Sequence, residues 1–482
     1  MNKFFWQYKK LDIKAKAVIW FTICSFLQKG ISFITVPVFA RIMPTSEYGL
    51  YTVYLSWLQI LTIFTSLYMY NGTYDNALSK YEKNRNEFTS SMLVLTLVLN
   101  AIVLLVVLCG YKSVANLVGL PFYFIIFMFG ETILTPAVYY WSERKRFEYD
   151  YRKLIIFTIS RSFFIPIVGI LFTVWGNGKA EYRIIATVLV EILFCLPLFG
   201  FQLFKGKTFF NKEYWKYALS MSIPILPHYL SGVILNQGDR IMIDKMVGKE
   251  AVAYYGLAYS IGMIAQILVT AINSAITPWM YEKFKQKKIE SMKQTITALF
   301  LFVSFISIFI MLISPELILI FGSNKYMDAA KIIPPVSASV LCIFMYNILS
   351  LPQFYYEKTK FFTVSSVFAA VINILLNWIF IRQFGYVAAG YTTLICYILY
   401  ALGHWYISKK ILEVKNNGES MISLHFIIFI FVLLIAGCIV STLLIKIWVV
   451  RYALIFAFLI ILILKKNKLL NIYSAIKSKG EQ

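Results

Sequence analysis

The sequence is short of charge. Only 14% of its 482 residues are Asp, Glu, Lys or Arg, while 60% are hydrophobic. Soluble chains carry about 25% charged residues, enough to cover a folded surface in water. A chain this apolar covers itself in lipid instead. Acidic residues are scarcest, 23 against 46 basic ones, for a net charge of +23. In a soluble protein that excess suggests nucleic acid; here its distribution along the chain explains it, and no nucleic-acid partner is expected. Histidine (three) and cysteine (six) are few. Cys24, Cys109, Cys195, Cys342, Cys396 and Cys438 each lie in an apolar run and form no CxxC pair. They read as small core hydrophobes, without a disulfide framework or a metal centre. No GxxxxGK[ST] is present, so P-loop nucleotide hydrolysis is excluded. No loop carries paired carboxylates with evident acid–base roles. The basic, aromatic start, Met1–Lys16, leads into an apolar run without a small-residue cleavage site, so no cleavable signal peptide is expected. The chain is expected to hold no cofactor and to be no enzyme, with ion or proton coupling left open.

What fills the chain is apolar runs of spanning length, about 20 residues each. Fourteen occur, at 17–39, 50–70, 89–109, 114–141, 154–174, 184–204, 218–238, 251–280, 294–314, 328–351, 361–381, 387–407, 422–444 and 449–464. With the N-terminus placed in the cytoplasm, 32 of the 46 Lys and Arg fall on the cytoplasmic side and 12 on the other, with Lys29 and Arg161 inside spans. By the positive-inside rule both termini are cytoplasmic. No outer connection exceeds about 15 residues, too little for the catalytic loop a membrane polymerase or glycosyltransferase needs.

An internal repeat is visible. Tyr48-Gly49-Leu50 recurs as Tyr255-Gly256-Leu257, an offset of 207 that also carries Gln59 onto Gln266, the run Phe147–Asp150 onto Phe354–Glu357, and Lys153 onto Lys360. Spans 1–6 and 7–12 then read as two copies of a six-helix unit, residues 1–206 and 207–411, with 412–482 holding two further spans and a tail. Six is even, so the copies are parallel, and two such lobes rocking about a midplane cleft give alternating access. The fold class expected is all-α integral membrane, about fourteen helices, two parallel six-helix lobes around a central cleft plus two C-terminal helices.

Charge inside a span is expensive, about 2.5–3.5 kcal/mol even on the mild insertion scale. Lys29 lies roughly 18 Å into span one at 1.5 Å per residue, near the midplane, with Ser25 and Ser32 on its face. It either lines a polar cavity or pairs with a buried acid. Arg161, flanked by Ser160 and Ser162, either points into the same space or snorkels. Glu131 and Glu191 are the acids of that lobe, as partners of those cations or as proton or cation sites. In span seven His228, Ser231, Asn236, Asp239 and Arg240 follow one helical face, with Asp239-Arg240 placed near the outer edge. Gln266, Thr270, Asn273 and Thr277 form a stripe on span eight, and Gln59, Thr62 and Ser66 a stripe on span two; repeat-related polar stripes favour a water-lined cavity over plain helix contacts. Pro37, Pro136, Pro166, Pro197, Pro224, Pro227 and Pro278 are expected to interrupt spans and permit bending.

Several motifs resemble one family. Ala40-Arg41-Ile42-Met43-Pro44, Glu47-Tyr48-Gly49-Leu50-Tyr51, Ser222-Ile223-Pro224, Asp239-Arg240, Tyr255-Gly256-Leu257 and Gly385-Tyr386-Val387-Ala388-Ala389-Gly390 are similar to those of the Wzx-type polysaccharide repeat-unit flippases of the MATE-like (multidrug, oligosaccharidyl-lipid, polysaccharide) exporter superfamily. The likeness covers spans 1–12. The motifs are structural and do not name the glycan. The resemblance implies an undecaprenyl-diphosphate-linked oligosaccharide moved across a bacterial inner membrane for O-antigen or capsule assembly, with membrane lipids around it and a polysaccharide polymerase and glycosyltransferases as further partners. Lys29, Arg41, Arg161 and Arg240 could hold the diphosphate, and His228, Asn236, Gln59, Gln266 and Asn273 the sugar; Glu131, Glu191 and Asp239 are the ion-coupling candidates. A multidrug or cation antiporter of the same superfamily is the competing reading, with a membrane polymerase behind it.

Overall fold

In lipid every backbone polar group must be paired within the chain, and the computed structural model is accordingly helical, with no strand among the residues it describes: 12–358, 360–415 and 421–464. Each of the fourteen apolar runs is mainly helical, and among the described residues 11 helices, or 12 with a bent pair counted as one span, are long and apolar enough to cross a membrane. The helices of these runs are α1 (Ile13–Ile42), α2 (Thr45–Ser66), α3 (Arg85–Cys109), α4 (Phe122–Phe147), α5 (Tyr151–Trp175), α6 (Ala180–Gly206), α7 (Leu226–Met246), the broken pair α8 (Lys249–Gly262) and α9 (Ala265–Lys285), then α10 (Glu290–Leu312), α11 (Ile333–Tyr355), α12 (Lys360–Phe384), α13 (Val387–Lys415), α14 (Leu424–Leu443) and α15 (Trp448–Leu464).

The prolines behave differently from expectation. Helices run through Pro37, Pro136, Pro166, Pro197 and Pro278. Only Pro224 and Pro227 sit at a break, where a 3-10 turn, Ile223–Ile225, parts the short helix Lys212–Ser222 from α7. The other break, a bend of 41° between α8 and α9, follows Gly262 and contains no proline.

The chain packs as two compact units, Met1–Ala253 and Tyr254–Gln482. In the first, α6 packs against α3, α4 and α5, α1 lies on α5, and α7 lies along α2. In the second, α11 is the core: it is buried along most of its length and is packed by α9, α10 and α13, while α14 leans on α10 and α11. The last helix is tied down by charge. Buried Arg451 of α15 pairs with Glu316 of the short helix Ser314–Phe321, and the Tyr452 hydroxyl donates to the same carboxylate oxygen at 2.8 Å.

One turn recurs in both units. After α4, Tyr149 is left-handed (φ 55), with the Glu148, Tyr149 and Asp150 amides donating to the Arg144, Arg146 and Lys145 carbonyls. After α11, Glu357 is left-handed (φ 56), with Tyr356, Glu357 and Lys358 donating to Pro352, Phe354 and Gln353. The two turns match at an offset of 208, one more than the sequence motifs give; the Tyr-Gly-Leu pair stays at 207.

Candidate functional site

Helix α1 is lightly packed. Cys24 and Gln28 meet Thr158 and Ser162 of α5 at 3.0 and 3.4 Å, which leaves Ser25, Lys29 and Ser32 on the adjoining, exposed face. Among the described residues Lys29 makes no ion pair. The two acids that could have claimed it are held elsewhere. Glu131, buried on α4, accepts from the Tyr54 hydroxyl of α2 at 2.6 Å. Glu191, buried on α6, takes two hydrogen bonds from Arg161 of α5, one of them from Nε at 3.0 Å, and one from the Cys195 thiol at 2.9 Å. Arg161 therefore faces Glu191, and its two-pronged geometry is the strong form of a carboxylate–guanidinium contact.

A second polar assembly joins α2 to α7. Gln237 is its hub, and the sequence reading passed it over. Its Oε1 accepts from Ser56 at 3.1 Å and from Arg240 at 3.2 Å, and its Nε2 donates to Gln59 Oε1 at 3.1 Å. Arg240 also donates to the Asn236 carbonyl, and the Asn236 amide donates to Gly232 at 2.7 Å. Asp239 and Arg240 are both buried. The break at Ser222–Pro224 delays the start of α7, so its end comes at Met246 and this pair lies two turns inside it, not at an outer edge. His228 sits on the first turn after the break, its ring 5.8 Å from that of Tyr229.

In the second unit Gln266 and Asn273 share the expected stripe on α9, and Thr270 and Thr277 return hydrogen bonds to their carbonyls at 2.7 Å. The Gln266 and Asn273 side-chain oxygens are buried with no hydrogen-bond partner among the described residues. A buried amide ladder was missed: Asn377 donates to Asn373 at 3.2 Å within α12, and two bonds cross to α13, Asn373 to Thr393 at 3.2 Å and Thr392 to Asn377. Two asparagines four apart facing adjacent threonines were the available signal.

A family model described as polysaccharide biosynthesis protein matches residues 15–284, more than half of the chain. The chain belongs to this family. A second model, MatE, matches residues 224–379. A putative protein of the Lsg locus of Haemophilus influenzae is 25% identical over 366 residues, covering 72% of this chain and 86% of that protein. An uncharacterized membrane protein of Methanocaldococcus jannaschii is 22% identical over 453 residues, covering 84% of this chain and 85% of its own. Among solved structures, an inward-facing multidrug resistance MATE family transporter of the MOP superfamily superposes with a TM-score of 0.67 at 13% identity, over 84% of this chain and all of that one. The lipid II flippase MurJ in an inward closed conformation gives 0.63 at 16% identity, over 94% of this chain and all of that one. The chain is thus a multi-pass membrane protein of the polysaccharide biosynthesis family, with the helical fold that those two solved structures share.

The motifs shared with the family are joints. Arg41, exposed on the last turn of α1, precedes a turn at Met43-Pro44. Glu47 accepts from the Ala180 amide at 2.7 Å and so caps the start of α6. Arg183, which the apolar runs left just outside span six, lies between the rings of Phe39 and Tyr51, 3.5 and 3.6 Å from their centres. Gly49 abuts the turn into α8 so closely that a methyl group there would overlap the Lys249 carbonyl. Backbone cannot yield as a side-chain tip can, so Gly49→Ala is expected to cost about 1–3 kcal/mol or more. The purified variant should unfold several degrees lower in a thermal melt; an unchanged melting temperature would show that the joint is not tight.

Proposed function

We propose that this protein carries oligosaccharide repeat units linked through a diphosphate to a polyprenyl lipid from the cytoplasmic to the outer leaflet of a bacterial inner membrane, for O-antigen or capsule assembly. The observation that carries this reading is the polysaccharide biosynthesis match over residues 15–284. The chemistry of the first unit supports it. A diphosphate crossing hydrocarbon needs cationic partners, and exposed Lys29 has no acidic partner among the described residues. Gln59, Gln237 and Asn236 offer amides to sugar hydroxyls, with Arg240 fixed behind them. The repeat at 1–206 and 207–411, with 412–482 appended, suits two lobes that alternate access, and the 32 to 12 charge bias supports cytoplasmic termini. Glu131, with a single hydrogen bond from Tyr54, is the first candidate for a coupling proton; Glu191 and Asp239 follow.

A multidrug or cation antiporter is the second reading, favoured by the MatE match and by the multidrug transporter among the solved structures. Ligand-dependent melting separates the two. The purified protein should be stabilised by a polyprenyl-diphosphate oligosaccharide, by about 2.7 kcal/mol when the ligand is at a hundred times its Kd, and not by the free oligosaccharide or by cationic drugs. Stabilisation by the drugs alone would replace the flippase reading with the antiporter.

A further inference from the structure

The ends of α3, α4 and α6 enclose a cavity of about 180 Å³ that plays no part in the proposed transport. A single water needs only about 10–15 Å³ of such space, so this one takes a chemical group. Its lining includes Arg144, Lys145, Lys205, Glu148, Trp141 and Phe201. Cations on the last turns of helices commonly do no more than complement the helix dipole. Here three of them converge on one space from two helices, α4 and α6, which pack together; α3 closes it from the side, so near to α6 that a methyl group on Gly206 would overlap the Asn86 carbonyl and the Ser90 side chain.

The charges do not cancel. Glu148 is the one carboxylate in the lining, and it is shared by Arg144 and Lys145 at 2.8 and 3.0 Å. Burial works against its ionisation, yet the hydrogen bonds from those two cations outweigh it and hold the carboxyl below its ordinary range. It therefore stays ionised at neutral pH; Lys145 is also paired with Asp150 at 2.9 Å, just outside the lining, so three positive groups meet two negative ones and Lys205 is the cation left over. Arg144 is steadied by Asn86, another residue of the lining, which accepts from it at 2.6 Å. Lys205 makes no ion pair among the described residues; its ammonium lies 5.3 Å from the Phe201 ring centre. Phe201 and Phe204 are 57% and 74% exposed, the placing of aromatic rings at a membrane interface.

We propose that this cavity binds the phosphate of an anionic phospholipid headgroup in the adjacent leaflet, with Lys205 and Arg144 as its ligands. Basic pockets between transmembrane helices on the Lys/Arg-rich side take such headgroups, and the exposed phenylalanines leave an apolar wall for the acyl chains. A soluble phosphate ester shares the same chemistry without needing that wall.

The test counts lipids retained by the full chain, purified from nanodiscs, by native mass spectrometry. Phosphatidylglycerol should be retained over phosphatidylcholine. Lys205→Gln, which breaks no ion pair, should weaken phosphatidylglycerol about fivefold, the weight of about 1 kcal/mol per cation, and Arg144→Gln at least as much. Lys409→Gln, an exposed cation of the other unit, should change nothing. Glycerol 3-phosphate bound in phosphatidylcholine discs with the same dependence on Lys205 would keep the phosphate site and make its ligand soluble. Equal retention of the two lipids without phosphate binding, or equal losses from Lys205→Gln and Lys409→Gln, would overturn the site.

Discussion

Arg161→Ala is expected to leave little folded protein. Glu191 would then be a buried carboxylate with only the Cys195 thiol beside it, and removing one partner of a buried pair costs about 3–5 kcal/mol, a large part of the 5–15 kcal/mol that holds a typical fold together. Glu191→Ala should be nearly as damaging, because it strands the guanidinium. Replacing both together, Arg161→Leu with Glu191→Leu, removes the charges in company, and apolar residues of similar volume are often neutral or stabilising at such sites. Yield and thermal melting of the two single variants and the double variant check this. Single variants as stable as the parent would show that the pair is not what holds α5 to α6. A stable double variant that no longer transports would move the pair from structure to function.

The second large effect is at Lys29, and it differs in kind. No carboxylate in the described structure depends on this ammonium, so Lys29→Ala should accumulate in the membrane at the parent level. Its loss should appear in transport alone. An unpaired buried charge costs about 3–5 kcal/mol; laid on the diphosphate at mid-crossing, that slows export by roughly two to three and a half powers of ten at 1.4 kcal/mol for each. Lys29→Arg keeps the charge with a different geometry and should retain part of the rate. Because Glu131 answers to Tyr54 and Glu191 to Arg161, adding Glu131→Gln or Glu191→Gln to Lys29→Ala should restore nothing. Rescue by either would turn Lys29 into a salt-bridge partner.

Much of this architecture can be read from the chain because lipid imposes simple rules. A run of about 20 apolar residues is a helix there, and all fourteen were visible. Glu131 and Glu191 stood out because charge in hydrocarbon is costly. What escaped depends on partners far apart in sequence. That Glu191 pairs with a cation of its lobe was one of the readings open, but nothing local says that the cation is Arg161, 30 positions away, or that Gln237 ties Arg240 to Ser56, 181 positions from Gln237. Arg183 escaped because it lies at the very start of an apolar run, where a cation reads as a flank; only its place between Phe39 and Tyr51 shows it to be a joint. The break after Ser222 was hinted at by Pro224 and Pro227, while the bend after Gly262 had a glycine as its one local sign. Missing the first put Asp239 and Arg240 at an edge when they are buried.

Movement of a lipid-linked oligosaccharide by this protein can be watched in reconstituted vesicles. A polyprenyl-diphosphate oligosaccharide with a fluorescent sugar is placed in both leaflets of proteoliposomes, and an impermeant quencher is added outside. Without protein about half of the signal should vanish, because the inner leaflet is shielded. With the parent protein, under an imposed proton or sodium gradient, nearly all of it should vanish, while Lys29→Ala should stay near half. A parent protein that leaves half the signal standing under every gradient, yet moves a cationic drug in the same vesicles, would contradict the account.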